Sequence, residues 1–245
     1  MRAVVIIPTY NEADNIERFL TQVRRDAPNT DILVVDDNSP DGTAQIAETV
    51  ASQLGSIKVL NRSGKRGYAA ASREAMQSAL NAGYEIIATI DADFSHDPLV
   101  LEQLTAQIKS GSSLVIGSRY VAGGKVTNWS LFRRALSKVG NLYTAFCLQL
   151  KIKDCTSGFR AYSAKSLAQI NLSDLTADGY AFLTEMAFVI SRNGLGKVTE
   201  VPINYVDRAF GDSKMNTKIM RESMVLVTRW GIALRTGIGR KHLPR

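Results

Sequence analysis

Two aspartates, Asp91 and Asp93, emerge from the apolar run 86–90 in the stretch IIATIDADFSHDP. Alternate residues of an extended segment point to one side. Carboxylates brought together in this way repel unless a cation or a shared proton lies between them. One reading is a hard divalent cation that keeps open positions for phosphate oxygens. The other is an acid–base dyad. Asp97, just before Pro98, suits a helix cap and requires neither reading.

Polar groups end three further apolar runs. PTYNE (8–12) follows the run 4–7, and its lack of glycine argues against the GxGxxG loop of NAD or FAD sites. It also reads as a plain strand-to-helix turn with Asn11 as cap. VVDDNSPDGT (34–43) places Asp36 and Asp37 at the next strand end, where an acid can bind ribose hydroxyls or a base edge. Its NSPDG is also good turn chemistry, and both readings hold together if Asp37 faces the ligand. GSRY (117–120) brings Arg119 to the same edge.

Further cations follow: Arg133 and Arg134, Arg160 in the polar loop DCTSGFR (154–160), and Arg208 and Lys214 in RAFGDSK (208–214). Arginine grips phosphate bidentately and lysine binds it as a point charge. For any one of these arginines alone a surface salt bridge is the preferred reading, but alongside a paired-acid loop they point to a phosphate site. No histidine suits catalysis: His96 reads as structural and His242 lies in the tail.

The elements that must carry these residues alternate. Short β-branched runs at 4–7, 32–35, 57–60, 86–90 and 114–116 suit strands buried on both faces. Helical patterns lie between them at 12–26, 42–54, 68–82 and 97–109. That order predicts an α/β fold, Rossmann-like and doubly wound, with a mostly parallel central sheet flanked by helices. After Arg119, Gly123-Gly124 marks a loop. An amphipathic helix or helix pair is expected over 129–150, a helix over 181–192, a strand over 197–205 and a helix over 215–236.

The 245 residues fit one α/β domain or one domain with an appendage. The two cysteines form no CxxC pair, and the apolar start is too short for a signal peptide, so a reduced, cytosolic protein is expected. Residues 214–245 carry the whole net charge of +7, interleaved with Trp230 and several aliphatic residues. Such a tail suits an anionic membrane surface. Arg229 breaks its apolar run well short of the ~20 residues a spanning helix needs. The balanced body and the lack of a recognisable motif argue against nucleic acid.

Taken together, PTYNE, VVDDNSPDGT, GKRGYAAA (64–71), DADFSHDP (91–98), GSRY, WSLFRRALSKVGN (129–141), DCTSGFRAY (154–162) and EVPINYVDRAFGDSK (200–214) resemble a family-2 glycosyltransferase of the GT-A fold. The resemblance is closest to the polyprenol-phosphate mannosyltransferases, the dolichol-phosphate mannose synthases, and spans Pro8 to Lys214. PTYNE with DAD marks the broad superfamily, whereas the motifs from WSLFRR onward are specific to the prenyl-phosphate branch.

The resemblance implies transfer of mannose from GDP-mannose to a polyprenyl monophosphate, with inversion. Pro8, Tyr10, Glu12, Asp37, Lys65, Asp91, Ala92, Asp93 and Lys214 would bind the nucleotide sugar. Asp91 and Asp93 would hold Mg²⁺ or Mn²⁺, with Ser95 where some relatives carry a longer glutamine ligand. Arg119, Arg133, Arg134, Ser137, Arg208 and Lys214 would face the acceptor phosphate, and Asp93, Arg119 and Arg208 would be catalytic. Residues 1–213 would form the catalytic domain and 214–245 a basic amphipathic helix and tail, peripheral on the cytoplasmic face of a membrane. A membrane-anchoring partner protein is a further expected contact. The rival readings are a UDP-glucose-dependent enzyme of the same class and a nucleotidyltransferase, though the latter usually wants a Gly-rich phosphate loop.

Overall fold

A computed structural model describes residues 1–63, 67–207, 217–239 and 243–244. Its core is a seven-stranded sheet whose strands lie side by side in the order Ile57–Asn61, Thr30–Asp36, Ala3–Thr9, Ile86–Thr89, Arg160–Ser163, Ser112–Ser118 and Lys197–Pro202. The first strands are β1 (Ala3–Thr9), β2 (Thr30–Asp36), β3 (Ile57–Asn61), β4 (Ile86–Thr89) and β5 (Ser112–Ser118). They alternate with helices α1 (Ala13–Asp26), α2 (Thr43–Leu54), α3 (Tyr68–Asn81) and α4 (Val100–Lys109). These are the expected elements, with ends shifted by a few residues. All of β4 and β5, and all of β1 except the half-buried Pro8, is buried, as near-continuous apolar runs require of a sheet covered on both faces.

The chain winds outward from β1 in two directions: β2 and β3 lie on one side and β4 on the other, all parallel. The crevice beyond the carboxyl ends of β1 and β4 is therefore the topological switch point, where open α/β sheets place ligands. PTYNE and Asp91–Asp93 leave the sheet on its two sides.

Sequence periodicity did not indicate two features. After β6 (Lys125–Thr127) and α5 (Leu131–Leu148), the strand β7 (Arg160–Ser163) runs antiparallel between β4 and β5. Arg160, expected in a phosphate-facing loop, instead starts a central strand. Its guanidinium is fully buried and donates to the carbonyls of Ser157 (2.7 Å), Leu183 (2.5 Å) and Cys155 (2.7 Å). Fixed in this way, it organises the loop before β7 and is not presented to a phosphate.

A short helix α6 (Ala164–Leu167) and a 3₁₀ turn (Leu172–Asp174) lead to α7 (Ala181–Arg192). The stretch expected as one strand over 197–205 divides into β8 (Lys197–Pro202) and β9 (Asn204–Val206). Pro202 has no N–H to extend the ladder. The chain leaves β5 there, and β9 pairs with β6 as a separate two-stranded sheet.

The last helix, α8 (Thr217–Thr236), packs along α5. Val227, Trp230 and Ala233 are buried, and Trp230 stacks on Phe188 at 6.0 Å. Thus α8 contributes to the core on one face. No helix among the described residues is long and apolar enough to cross a membrane.

Candidate active site

The loops after β1 and β2 lock together. Asp36, fully buried, accepts from Thr9 Oγ1 (2.9 Å), Ser39 N (2.7 Å) and Ser39 Oγ (2.6 Å). Ser39 Oγ, Thr43 Oγ1 and Asp41 Oδ2 then accept the N–H groups of Asn11, Glu12 and Ala13, each at 3.0 Å. Burial alone would raise the Asp41 carboxyl, but hydrogen bonds from Thr43 and Ala13 hold it below the ordinary carboxylate range. Asn11 is not the cap of α1. It adopts a left-handed φ of 56°, and Glu12 occupies the cap position.

This bracing turns Asp37 inward. Arg62, at the end of β3, forms a buried ion pair with it, and Gly67 N donates to its other oxygen at 2.5 Å. Gly67 has φ 123°, which a side chain would oppose, and opens α3. Nothing in the local sequence singled out Arg62. Its position at the third strand end on the same edge was the available signal.

Pro8, Tyr10, Glu12 and Asp37 line one cavity of about 450 Å³, together with Asp91, Ala92 and Asp93. The remaining wall carries Tyr68 and Tyr180, stacked at 5.2 Å and 23°. Burial, then the charge of Asp91, push the Tyr68 hydroxyl well above its ordinary range, so it stays protonated. The sequence had given no sign of this tyrosine pair. A side-chain carbon on Gly158 would come into contact, at 3.4 Å, with both Asp91 Oδ2 and the Tyr68 hydroxyl, so this glycine leaves the approach to the Asp91 carboxylate open.

Asp93 is buried and accepts from Ser95 N at 3.0 Å, while Asp91 is half-buried. Phe94 between them and Ser95 has φ 60° and turns the loop. Ser95 is itself buried, and Val206 N donates to its carbonyl at 3.1 Å, which ties the acid loop to β9. Among the described residues no cluster of three or more His, Cys, Asp or Glu could hold a metal. The two aspartates supply hard oxygen donors that fit a divalent cation completed by non-protein oxygens. His96 packs against Phe159 and Tyr205. Burial lowers its pKa to about 4 against the opposing pull of Asp93, so it is neutral near pH 7.

Beside the acid loop lies a second constellation. Arg119 donates to Asp154 Oδ2 from N (3.0 Å) and Nε (2.7 Å), and from Nη2 to Oδ1 (2.7 Å) and to Thr156 Oγ1 (2.8 Å). Both side chains are buried. Burial alone would lower the arginine and raise the acid, but their mutual hydrogen bonds and charge drive both the other way, so the pair is fully ionised. The guanidinium lies 5.3 to 5.7 Å from the ring centres of Tyr120, Trp129 and Tyr205.

Arg119 was expected to face a phosphate. Its Nε and Nη2 donors go to Asp154 and Thr156, and its guanidinium forms the charged centre of an aromatic enclosure. Helix α5 closes this region. Ser130 caps it by accepting from Arg133 N at 3.2 Å, Tyr120 donates to Ser137 Oγ at 2.7 Å, and Asn141 accepts from Cys155 N at 2.7 Å.

Arg133 covers the Trp129 ring at 4.1 Å and pairs with Asp207 at 2.9 Å, with 43% of its side chain exposed. Arg134 donates to the carbonyl of Val126 at 2.8 Å. Lys65, Arg208 and Lys214 lie outside the described residues. The far face of α5 is apolar and open: Leu131, Phe132, Val139, Leu142 and Phe146 are each at least 60% exposed. Both cysteines are free and buried, and burial pushes the Cys155 thiol up to about 12, which rules it out as a nucleophile near neutrality.

The model of "Glycosyl transferase family 2" matches residues 4–170. An undecaprenyl-phosphate mannosyltransferase of Micrococcus luteus is 43% identical over 235 residues, 96% of each chain. A polyprenol monophosphomannose synthase of Mycolicibacterium smegmatis is 41% identical over 94% of this chain and 87% of its own. Among solved structures, glucosyl-3-phosphoglycerate synthase of Mycobacterium tuberculosis, with Mn²⁺ and UDP, superposes with a TM-score of 0.65 at 20% identity. That match covers 97% of this chain and 81% of the other. A mannosyltransferase of Pyrobaculum calidifontis, bound to GDP-Man and Mn²⁺, gives 0.61 at 19%, covering 97% and 65%.

Proposed function

The chain belongs to glycosyl transferase family 2, and from that premise we propose that it transfers mannose from GDP-mannose to a polyprenyl monophosphate. The observation that carries the reading is the single cavity at the switch point, which joins the β1 loop, Asp37 and the Asp91–Asp93 pair. The names of its full-length relatives support the sugar and the acceptor class.

In this reading the nucleoside lies against Pro8, Tyr10 and Glu12, with Asp37 held by Arg62 and Gly67 to accept from it. Asp91 and Asp93 would hold Mg²⁺ or Mn²⁺, which when bound stabilises charge growing on the departing diphosphate. Ser95, buried with its carbonyl on β9, completes the loop that keeps Asp93 in place. Lys65 and Lys214 are proposed donor contacts on sequence grounds alone.

The acceptor needs little activation. A phosphate monoester with a second pKa of ~6 is already mostly dianionic near pH 7. What it needs is cations to bring it beside a second anion, and His96, buried with its pKa lowered to about 4, is too weak a base to add one. Arg133 and Arg134, with Ser137, are the proposed acceptor contacts on α5, joined by Arg208. Arg119 supplies fixed positive charge from inside the aromatic enclosure. Direct attack by the lipid phosphate would invert the sugar linkage.

The test is a panel of labelled nucleotide sugars with polyprenyl phosphate and Mg²⁺ or Mn²⁺. Label from GDP-mannose is expected in the organic extract only when lipid phosphate and metal are both present. UDP-glucose as the preferred donor would replace the donor assignment, and no lipid product from any donor would overturn the reading.

The open face of α5 is proposed to rest on a membrane surface on the cytoplasmic side, which would bring a prenyl phosphate to Ser137. Replacing Phe132, Val139 and Phe146 with serine should leave thermal stability near wild type, because these side chains are 78%, 61% and 72% exposed. Co-sedimentation with anionic vesicles should be lost. Unchanged vesicle binding would remove α5 from the interface. Deleting residues 215–245 is a poorer test, since it strips Trp230 from the core.

A further inference from the structure

Residues 175–177 run between the 3₁₀ turn and α7 and are gripped from two sides. Glu185 on α7, fully buried, accepts Thr176 N at Oε1 and Ala177 N at Oε2, each at 3.0 Å. Arg73 on α3 donates from Nη1 to the carbonyls of Leu175 and Ala177, both at 3.2 Å. Its guanidinium also lies 5.6 Å from the Phe182 ring centre. A glutamate with both oxygens committed to backbone N–H groups is poorly placed to act as a base. What it controls is the path of the backbone.

That path ends at the donor cavity. Gly179, with φ 55°, turns the chain, and Tyr180 then stacks on Tyr68 as one cavity wall. We propose that Glu185 and Arg73 are positioning residues for nucleotide-sugar binding, holding 175–178 so that Tyr180 stays against Tyr68. The inference rests on the donor reading of this cavity. Glutamine at 185 would present one N–H₂ to a backbone N–H, and lysine at 73 has no planar guanidinium to lie beside the Phe182 ring while one of its nitrogens donates to both carbonyls.

The experiment measures GDP affinity by calorimetry with Mn²⁺, and separate KM values for GDP-mannose and polyprenyl phosphate. The variants are Glu185→Gln, Arg73→Lys, Tyr180→Ala and the double variant Glu185→Gln/Tyr180→Ala. Each single change should weaken GDP binding and raise the donor KM by about tenfold, with the acceptor KM unmoved. The double variant should bind GDP no worse than Tyr180→Ala alone, because both changes act through one wall. Arg73→Lys repeats the test from the other side if Glu185→Gln does not fold. Additive losses, or wild-type donor affinity in folded Glu185→Gln or Arg73→Lys protein, would overturn the inference alone. Wild-type protein that binds no GDP would overturn the donor reading, and this inference with it.

Discussion

Asp93→Asn is expected to lower kcat by about a thousandfold, the scale seen when a group stabilising transition-state charge is removed. The substitution keeps shape and removes charge. The asparagine oxygen can still accept from Ser95 N, the bond that Asp93 Oδ1 accepts at 3.0 Å, so the turn through Phe94 should persist. Thermal unfolding should therefore stay close to wild type. The loss should fall on turnover and on the dependence on added Mn²⁺, with a smaller effect on acceptor KM. A variant that keeps wild-type turnover and metal dependence would show that the acid pair is not the cation site. Asp91→Asn should act in the same direction. It is the more exposed acid, and it lies nearest the open approach at Gly158.

The second large effect concerns stability. Asp154→Ala should cost about 3–5 kcal/mol, because it leaves the buried Arg119 charge without its partner. It also removes the acceptor that fixes Arg119 N and frees Ser157 N, which Asp154 Oδ1 holds at 3.2 Å. Chemical denaturation would measure the loss, and a cost below about 1 kcal/mol would show the pair to be effectively solvated.

The pH dependence has a definite sign. Asp154 is held below its unfolded value of ~3.9, so the folded state binds fewer protons. Its contribution is complete above about pH 4 and is lost as pH falls through the folded-state pKa. The stability gap between wild type and Asp154→Asn should therefore be flat near neutrality and narrow only in strong acid. A gap that narrows between pH 6 and 8 would assign the effect to another group.

The sequence made one half of the site far more legible than the other. β1, β2, β4 and β5 carry apolar runs that suit strands buried on both faces, so the residues just after them share an edge; β3, at the sheet's margin, is half exposed despite a similar run. That logic brings the PTYNE loop, Asp37, Asp91 and Asp93 to one edge, and the family resemblance singles out Pro8, Tyr10 and Glu12 within that loop. Asp154 and Arg160 followed a different rule. Their short polar surroundings lack periodicity, and β7 exists because β4 and β5 pair with it on both sides. Local propensity is overridden there by tertiary hydrogen bonding. Arg119 was read from its type as a phosphate ligand, and its pairing with Asp154, 35 residues away, was not legible in the sequence. Arg62 and Tyr180 were missed because each matters through a partner distant in sequence.

The antiparallel strand in mid-sheet also bears on the order of assembly. A chain growing from its N-terminus makes β4 and β5 before β7, yet neither can pair directly with the other. Until residues 160–163 arrive, each presents a bare inner edge, the kind of surface that invites wrong partners. Pairing Ile86 with Ser163 spans α4, β5, β6 and α5, a non-local contact of the sort that slows folding. Only the edge strand β8 is made later, so the gap in the middle of the sheet is filled by a late strand, and that strand carries Arg160, which organises the loop beside the acid pair.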